Sequence, residues 1–298
     1  MKAQSGVDAT RILQNAKHTL FVEGKDGQQI DPLVMKQLLV SNELTSVEVQ
    51  PLGACDNVRS AAQALILQHP SYYFLIDRDD QNHETVEQSW NAFPDPAKHN
   101  MLIWRKRELE NYFIDPEYLS KSKFLKPGVD LRLEILADCS KRLFLDCANL
   151  TLLAISRELN RPLAISHFAN PNHFTDRHAG EAALGRLTPQ LENRKDENGA
   201  ALDSSHVNQL YCIFVDELSG GLPALQYASG TWLERMSGKE IFNNIANRCF
   251  TVSDNEGKLL IGKEKSKAIA TDLVRLPLDQ QPSDFRDIVD LLRIRLKE

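Results

Sequence analysis

The chain is poor in cysteine and has no long apolar run. Its five cysteines are odd in number, widely spaced and without a CxxC pair, so the sequence predicts neither a disulfide framework nor a zinc site, and we expect core thiols. No apolar run approaches the roughly 20 residues of a membrane helix, and residues 1–17 contain no signal-peptide segment. We therefore expect a cytoplasmic protein.

The chain also lacks an excess of basic residues. It carries 35 Lys and Arg against 41 Asp and Glu, a formal net charge of -6. This balance excludes a surface coated in basic residues. A local phosphate-binding patch remains compatible with it, because the carboxylates of a metal site count against the total. With 298 residues, of which 42% are hydrophobic, the chain is long enough to form two domains.

The apolar pattern divides the chain into two unlike halves. In the first, strand-like segments alternate with helix-like ones, which predicts βαβ crossovers and a mainly parallel sheet flanked by helices. The predicted strands are 18–22, 46–51, 72–76 and 100–104, and the helices between them are 32–42, 57–68 and 83–93. In the second half the helix-like segments are 131–159, 178–193, 208–218, 238–250, 265–274 and 283–296. We predict an α/β domain over 1–120 and a predominantly α-helical domain over 121–298.

Carboxylates follow the third predicted strand directly. The run from Tyr72 to Ile76 is apolar on both faces, as in a strand buried inside a parallel sheet, and Asp77 and Asp79 come next. Open α/β sheets bind ligands at this end of their strands. The two-residue period of a strand sends these two acids to one side and Asp80 to the other. Carboxylates about 4 Å apart repel by roughly 4 kcal/mol at a dielectric near 20, which favours a divalent cation between them.

Further acids follow two other predicted strands. The first strand ends at Glu23, and the fourth leads through three consecutive cations, 105–107, to Glu108 and Glu110. Oxygen ligands of this kind suit Mg²⁺ or Mn²⁺, as one ion or as a pair about 3.5–4 Å apart that clamps a phosphodiester. The cations are equally compatible with phosphate contact and with a solvated face. At the start of the first predicted helix, Asp31 is placed to act as the cap.

Three motifs follow one another at these strand ends: Val22-Glu23-Gly24, Asp77-Arg78-Asp79 and Glu108-Leu109-Glu110-Asn111-Tyr112. In this order they resemble the Toprim domain, in the branch of the OLD-type nucleases and the Toprim effectors of bacterial anti-phage systems, most of all those of the PARIS type. The resemblance covers roughly the first 120 residues, with a looser likeness over 237–242 and in the closing helix. The chain departs from the pattern at Gly27, where an acid is frequent, and at Glu108, where a hydroxyl is common.

The resemblance implies a Toprim-like fold and a Mg²⁺-dependent or Mn²⁺-dependent nuclease. Its catalytic residues would be Glu23, Asp77, Asp79 and Glu110, with Glu23 a metal ligand or the general acid/base, and the metal ligands would be the same four with Glu108. The resemblance also implies a toxic effector of anti-phage defence, controlled by an ABC-type ATPase sensor. Such effectors can attack transfer RNA, so RNA is the preferred substrate, and a homodimer is expected.

Other functions remain open. An Asp-x-Asp at a strand end is by itself more often a turn or a cap, and only the three motifs in order favour a metal site. The chain is alternatively a DNA-cleaving OLD-like nuclease, or a non-catalytic regulator whose acids bind a structural ion. A topoisomerase or primase would need a tyrosine domain or a zinc module, and neither is apparent. Ser237-Gly238-Lys239 lacks the upstream glycine of a Walker A loop, so we expect it to begin a helix.

Overall fold

Four parallel strands form one sheet in the described part of the chain. The computed structural model describes residues 18–25, 29–65, 69–79, 81–95, 99–160 and 185–296, with residues 179 and 182. The strands are β1 (His18–Val22), β2 (Val47–Pro51), β3 (Tyr72–Ile76) and β4 (Met101–Ile103), in the order β2-β1-β3-β4. Helices α1 (Ile30–Ser41), α2 (Cys55–Leu65) and α3 (His83–Ala92) connect them. The predicted α/β architecture with a parallel sheet is confirmed.

β3 lies inside this sheet because it is apolar on both faces. All five of its residues are buried, as are the last four of β1 beside it. The two strands are in register, with Val22 opposite Leu75. Because parallel strands end at the same edge, the residues that follow β1 and β3 emerge side by side. The sheet therefore brings Glu23 and Asp77 to one edge.

The second half of the chain is helical, as predicted. Its helices are α4 (Pro116–Leu119), α5 (Leu131–Leu159), α6 (Thr188–Ala201), α7 (Ser204–Ser219), α8 (Trp232–Arg235), α9 (Gly238–Cys249), α10 (Gly262–Leu273) and α11 (Ser283–Arg295), and 3₁₀ turns cover Leu109–Tyr112 and Leu278–Gln280. None of the helices in the described ranges is both long and apolar enough to cross a membrane. Buried apolar residues of both halves form one continuous core, and the boundary near residue 120 stays a prediction.

Arg105 joins the two halves through ion pairs. Its guanidinium lies 2.9 Å from Asp284 and 2.8 Å from Asp287 of α11, and 3.0 Å from Glu87 of α3. It also stacks over the Trp90 ring, 4.0 Å from the ring centroid. Arg105 therefore holds α11 against the sheet. Neither of the two roles predicted for it, contact with phosphate or exposure on a solvated face, matches these contacts.

The other two cations of this run donate hydrogen bonds to backbone carbonyls. The Lys106 ammonium donates to the Asn111 carbonyl at 3.2 Å, and burial lowers its pKa. The Arg107 guanidinium donates to the Arg235 carbonyl at 3.3 Å. Buried cations are retained where carbonyl oxygens satisfy their donors. Residues 105–107 thus form an internal support for the loop after β4.

The start of α1 differs from its prediction. The helix begins at Ile30, two residues early, and Gln29 rather than Asp31 occupies the cap position, so the capping role predicted for Asp31 is wrong. Gln29 takes this place because its Oε1 accepts the Lys25 N–H at 3.0 Å and closes the turn after β1. Asp31 is consequently drawn into the first turn of the helix and is buried.

We expect Arg295→Met to lower the free energy of unfolding by about 3 kcal/mol. Arg295 is 3% exposed and donates to the carbonyls of Phe93, His99 and Pro70 at 2.7, 3.2 and 2.6 Å. Its loss leaves buried acceptors without donors. Urea denaturation measures the effect. The matched control is Arg293→Met on the exposed side of the same helix, expected to change stability by less than about 0.5 kcal/mol. Equal effects of the two substitutions would contradict the prediction.

Candidate metal centre

Glu23 stands at the carboxyl end of β1, where the chain turns sharply. Gly24 has a φ of 110°, and a Cβ on this residue would lie 2.1 Å from Oε1 of Gln29, so only glycine fits. The N–H of Gly24 donates to the Gly53 carbonyl at 2.7 Å, and the N–H of Gly53 returns a bond of 2.9 Å. These contacts fix the direction in which Glu23 leaves the strand.

Asp77 follows β3 and meets Glu23 at the sheet edge. Its N–H donates to Glu23 Oε1 at 2.9 Å, and its own Oδ1 accepts the N–H of Leu109 at 3.3 Å. Burial raises the pKa of Asp77 well above its usual range, and the carboxylates of Asp31 and Glu23 raise it further. Asp77 therefore links the ends of β1 and β3 to the turn after β4.

The backbone conformation that directs Asp79 differs from the predicted one. β3 ends at Ile76, and Asp79 lies in the left-handed conformation with a φ of 48°, so strand alternation does not set its direction. Aspartate is one of the few residues that tolerate this conformation. Burial raises the pKa of Glu23, and the nearby Asp79 carboxylate raises it further. Asp79 is thus close to Glu23, whereas Asp80 lies outside the described residues.

Arg78, between the two aspartates, points away from the acids. Its Nε donates to the Gln81 carbonyl at 3.0 Å, and its Nη1 donates to the Arg105 carbonyl at 2.8 Å. The guanidinium is buried and serves backbone acceptors of two loops. Its contribution is to hold the loop after β3 in place, which leaves the acids without its charge.

The turn Leu109–Tyr112 carries the third motif. Glu108 and Asn111 cap it reciprocally: the Glu108 carboxylate accepts the N–H of Asn111, and Asn111 Oδ1 accepts the N–H of Glu108 at 3.0 Å. Glu108 Oε2 also accepts the backbone N–H of Lys239 at 2.8 Å. Glu108 therefore lies among the acids, as predicted, but has a structural task as a cap at the same time.

Asn111 fastens this turn to α9. Its Nδ2 donates to the carbonyls of Leu233 and Met236, both at 3.0 Å. A Cβ on Gly238 would lie 2.5 Å from Asn111 Oδ1, so the first residue of α9 packs directly on the turn. The predicted helix start at Gly238 is confirmed. The acidic turn is thus supported from the helical half.

Glu110 is the most deeply buried of the candidate acids, with 3% of its surface exposed. Its Oε2 has no hydrogen-bond partner among the described residues. Burial, with the nearby charge of Asp31, raises the pKa of Glu110 to about 8. A buried carboxylate oxygen without a donor is costly unless a proton or a cation reaches it. Glu110 is therefore the acid that most needs a positive partner.

Two charged residues outside the predicted set also belong to this site. Asp31 is buried, and burial together with the charges of Glu23 and Glu108 raises its pKa to about 6. Lys239 is the second residue of α9. Burial alone would lower the pKa of Lys239, but the carboxylates of Glu110 and Glu108 raise it above its ordinary value. Both residues begin helices, so strand-end spacing could not reveal them. The likeness over 237–242 was the only sequence signal for Lys239.

The collected side chains suit a hard divalent cation. The carboxylates whose charges raise one another's pKa values are those of Glu23, Asp31, Asp77, Asp79, Glu108 and Glu110. Two cations lie near them: Lys239, and Arg107 at 3.9 Å from Glu108. Their ligand atoms are all oxygen, which fits Mg²⁺ or Mn²⁺. Within the described ranges, no group of three or more His, Cys, Asp or Glu side chains is placed so that it could hold a metal ion as it stands. The acids are gathered without being drawn into a coordination shell.

The cysteines are more varied than predicted. Cys139, Cys147 and Cys249 are buried, but Cys212 is exposed. Cys55 is half-buried at the start of α2, and its thiol donates to the Glu23 carboxylate. Residues 26 and 27 of the loop after Glu23 lie outside the described residues, as do the histidines at 167, 173 and 178, which the sequence predicts to be structural or at the surface.

Comparison with protein-family models, with curated proteins and with solved structures found no match to this chain. The likeness to Toprim domains therefore rests on the three motifs, with the looser likeness over 237–242 and in the closing helix.

We expect Glu110→Gln to stabilise the metal-free protein by an amount that grows with pH. The pKa of Glu110 is about 8 when folded, against about 4.3 in an unfolded chain, so the folded state retains a proton that the unfolded state releases. Wild-type stability is therefore lost as pH rises through this range, whereas glutamine keeps the neutral form.

Relative to the wild type, the free energy of unfolding of Glu110→Gln should increase by about 3 kcal/mol between pH 5 and pH 8. Urea denaturation in EDTA at several pH values measures it. Glu240→Gln, exposed on α9, is the matched control and should follow the wild-type slope. An unchanged slope in Glu110→Gln would show that this carboxyl does not retain its proton.

Proposed function

We propose that this chain is a Mg²⁺-dependent or Mn²⁺-dependent nuclease that hydrolyses phosphodiester bonds of nucleic acid. The observation that carries the proposal is the meeting of Glu23, Asp77 and Glu110 at the carboxyl edge of a parallel sheet, with one buried Glu110 oxygen lacking a partner among the described residues. The likeness of the three motifs to Toprim nucleases supports the same function. A Toprim-like identity of the α/β half, with one or two ions, is part of the proposal.

The residues divide into metal ligands and a proton-transfer group. Asp77, Asp79 and Glu110, with Glu108, would hold the ion, which when bound polarises a phosphate oxygen and lowers the pKa of water. Glu23 is suited to general acid/base work because burial raises its pKa from the ordinary value of a glutamate. The N–H of Asp77 orients the Glu23 carboxylate.

Lys239 supplies the positive charge that the cations at 105–107 cannot. Arg105 and Lys106 are occupied by internal partners, and Arg107 lies 3.9 Å from Glu108, whereas the Lys239 ammonium lies near Glu110 and Asp77. Cationic side chains fixed close to a reacting phosphate stabilise the negative charge that develops on its oxygens. We assign Lys239 this role.

The substrate and partners follow from the resemblance. We propose RNA as the substrate, with transfer RNA as one target, cleaved by a cytoplasmic toxic effector of anti-phage defence. An ABC-type ATPase would control it, and the chain would act as a homodimer. A DNA-cleaving nuclease is the nearest competitor. A non-catalytic regulator whose acids bind a structural ion is the other, and binding of Mg²⁺ or Mn²⁺ and of the ATPase without cleavage of RNA or DNA would favour it.

We expect induced expression to create new RNA ends in the cell and the Asp77→Ala and Glu23→Ala variants to abolish them. Both substitutions remove a carboxylate from the edge of the sheet. Sequencing of total RNA ends, with genomic DNA integrity checked in parallel, measures activity and substrate together. The matched control is Glu48→Gln, exposed on β2, which should cleave as the wild type does. If folded Glu23→Ala still cleaves nucleic acid and still kills cells, the nuclease proposal fails.

We expect Lys239→Gln to lower the cleavage rate by about 100-fold without weakening Mn²⁺ binding. Removal of its charge leaves the acids more negative, so the affinity for the ion should stay the same or rise. Single-turnover cleavage and calorimetry measure the two quantities. Lys36→Gln, exposed on α1, is the matched control. A parallel loss of Mn²⁺ affinity would show that Lys239 supports the structure of the site and not the reaction.

A further inference from the structure

One side of the long helix α5 is apolar and exposed to solvent. Its four large side chains are each more than half exposed: Leu133 (64%), Phe144 (60%), Leu145 (53%) and Leu152 (63%). The other side of the helix packs against α7 and α9. Single exposed leucines are ordinary in a folded protein, whereas exposed apolar side chains that share one helix face mark an interaction surface. This side of α5 therefore suits contact with another molecule.

The exposed side chains occupy two neighbouring rows of the helix surface. Residues four apart in an α-helix lie one above the other on the same face. The first row is Leu133, Ala137, Lys141 and Leu145, and the second is Ser140, Phe144, Ala148 and Leu152. All of them are exposed except Ala148, which is partly exposed. We call these eight residues the α5 stripe. At a rise of 1.5 Å per residue, the stripe is about 28 Å long.

The order of residues in the α5 stripe is nearly the same in both directions. Reversal of the stripe about its midpoint exchanges Leu133 with Leu152, and Ala137 with Ala148. A two-fold axis through this midpoint, perpendicular to the helix, brings the same pairs together across an antiparallel contact between two copies. Leucine then meets leucine at both ends of the stripe. The small alanines between them allow the two helices to approach closely.

The centre of the α5 stripe is also complementary to itself. The same axis pairs Lys141 of one copy with Phe144 of the other, and Ser140 with Leu145. An ammonium over an aromatic ring is favourable, and the aliphatic stem of a lysine packs on apolar surface while its charge stays in water. The stripe carries this one charged side chain and no carboxylate. A second copy of the chain therefore matches both its apolar residues and its charge, whereas a nucleic acid would meet mainly apolar surface.

We propose that the α5 stripe is the contact surface between two copies of this chain, which pair antiparallel about a two-fold axis. The proposal rests on the homodimer of the proposed function, to which it assigns a surface, and is independent of the reaction that the acids perform. A single pair of helices lies at the low end of interface sizes, where complexes are weak. We therefore expect a dimer that dissociates in the micromolar range.

The test is a charge pair introduced at two positions that meet. Sedimentation velocity of the full chain at about 1–100 µM measures the dissociation constant of the dimer. Leu133→Lys or Leu152→Glu alone places a charge against a leucine, so each should raise this constant at least about tenfold. In the double variant the new ammonium and the new carboxylate meet at both ends of the contact. The constant should then return to within about threefold of the wild-type value.

The matched control is Ile261→Lys. Ile261 is 77% exposed but lies before α10 and not on α5, so this variant should dimerise as the wild type does. At a concentration where the wild type is monomeric, the variants should keep the wild-type melting temperature, because they change exposed side chains. A lower melting temperature in Leu133→Lys or Leu152→Glu would show that these residues pack within their own chain, and the proposal would be overturned.

The remaining outcomes separate this surface from the homodimer and from the nuclease. A wild-type dimer that survives both single substitutions overturns the α5 surface and leaves the homodimer. A wild type that stays monomeric over the whole range overturns both. A double variant as weak as the single ones shows that positions 133 and 152 do not meet, which overturns the antiparallel pairing. If the charge pair restores the dimer and the wild type cleaves neither RNA nor DNA, the surface stands and the nuclease does not.

Discussion

The repulsion among buried carboxylates is the interaction on which the rest of this structure depends. Asp31, Asp77 and Glu110 lie together, and burial raises the pKa of each of them. Unpaired buried carboxylates cost several kcal/mol, so the surrounding backbone must be firm enough to hold them. The N–H groups of Asp77 and Leu109 give part of that support, and the fully buried β3 behind them gives the rest. Such an arrangement favours a cation over any neutral ligand.

The helical half belongs to this arrangement and is not an appendage to it. Asn111 binds the carbonyls of Leu233 and Met236, and α9 begins against the same turn. Farther along the edge, Arg105 holds Asp284 of α11. Because Lys239 sits on the first turn of α9, any displacement of that helix changes its distance to the acids. The charge balance of the site is thus set by both halves.

The sheet could be predicted because its pattern is local. The bounds of β1 match the expectation at both ends, and the acids at the strand ends follow from the parallel order. Contacts between residues far apart in the chain could not be predicted from a local pattern. The three cations of residues 105–107 have a surface pattern, yet the acids that bind Arg105 on α11 lie 179 and 182 residues further along. Asp31 has the sequence position of a cap, yet Gln29 takes that place and Asp31 is buried in the first turn of α1. Asp79 has a left-handed backbone, so the alternation of strand side chains does not set its direction.

The contacts of Arg295 with residues much earlier in the chain bear on the order in which the protein folds during synthesis. Its guanidinium binds carbonyls of Phe93, His99 and Pro70, which precede β4 and β3 at the edge opposite the acids and lie 196 to 225 residues earlier in the chain. The strands therefore leave the ribosome long before the donor that completes them is made. Contacts of such separation close slowly, and the α/β half waits for α11 before its packing is finished. The segments that precede β3 and β4 are therefore made well before the side chain that satisfies their carbonyls.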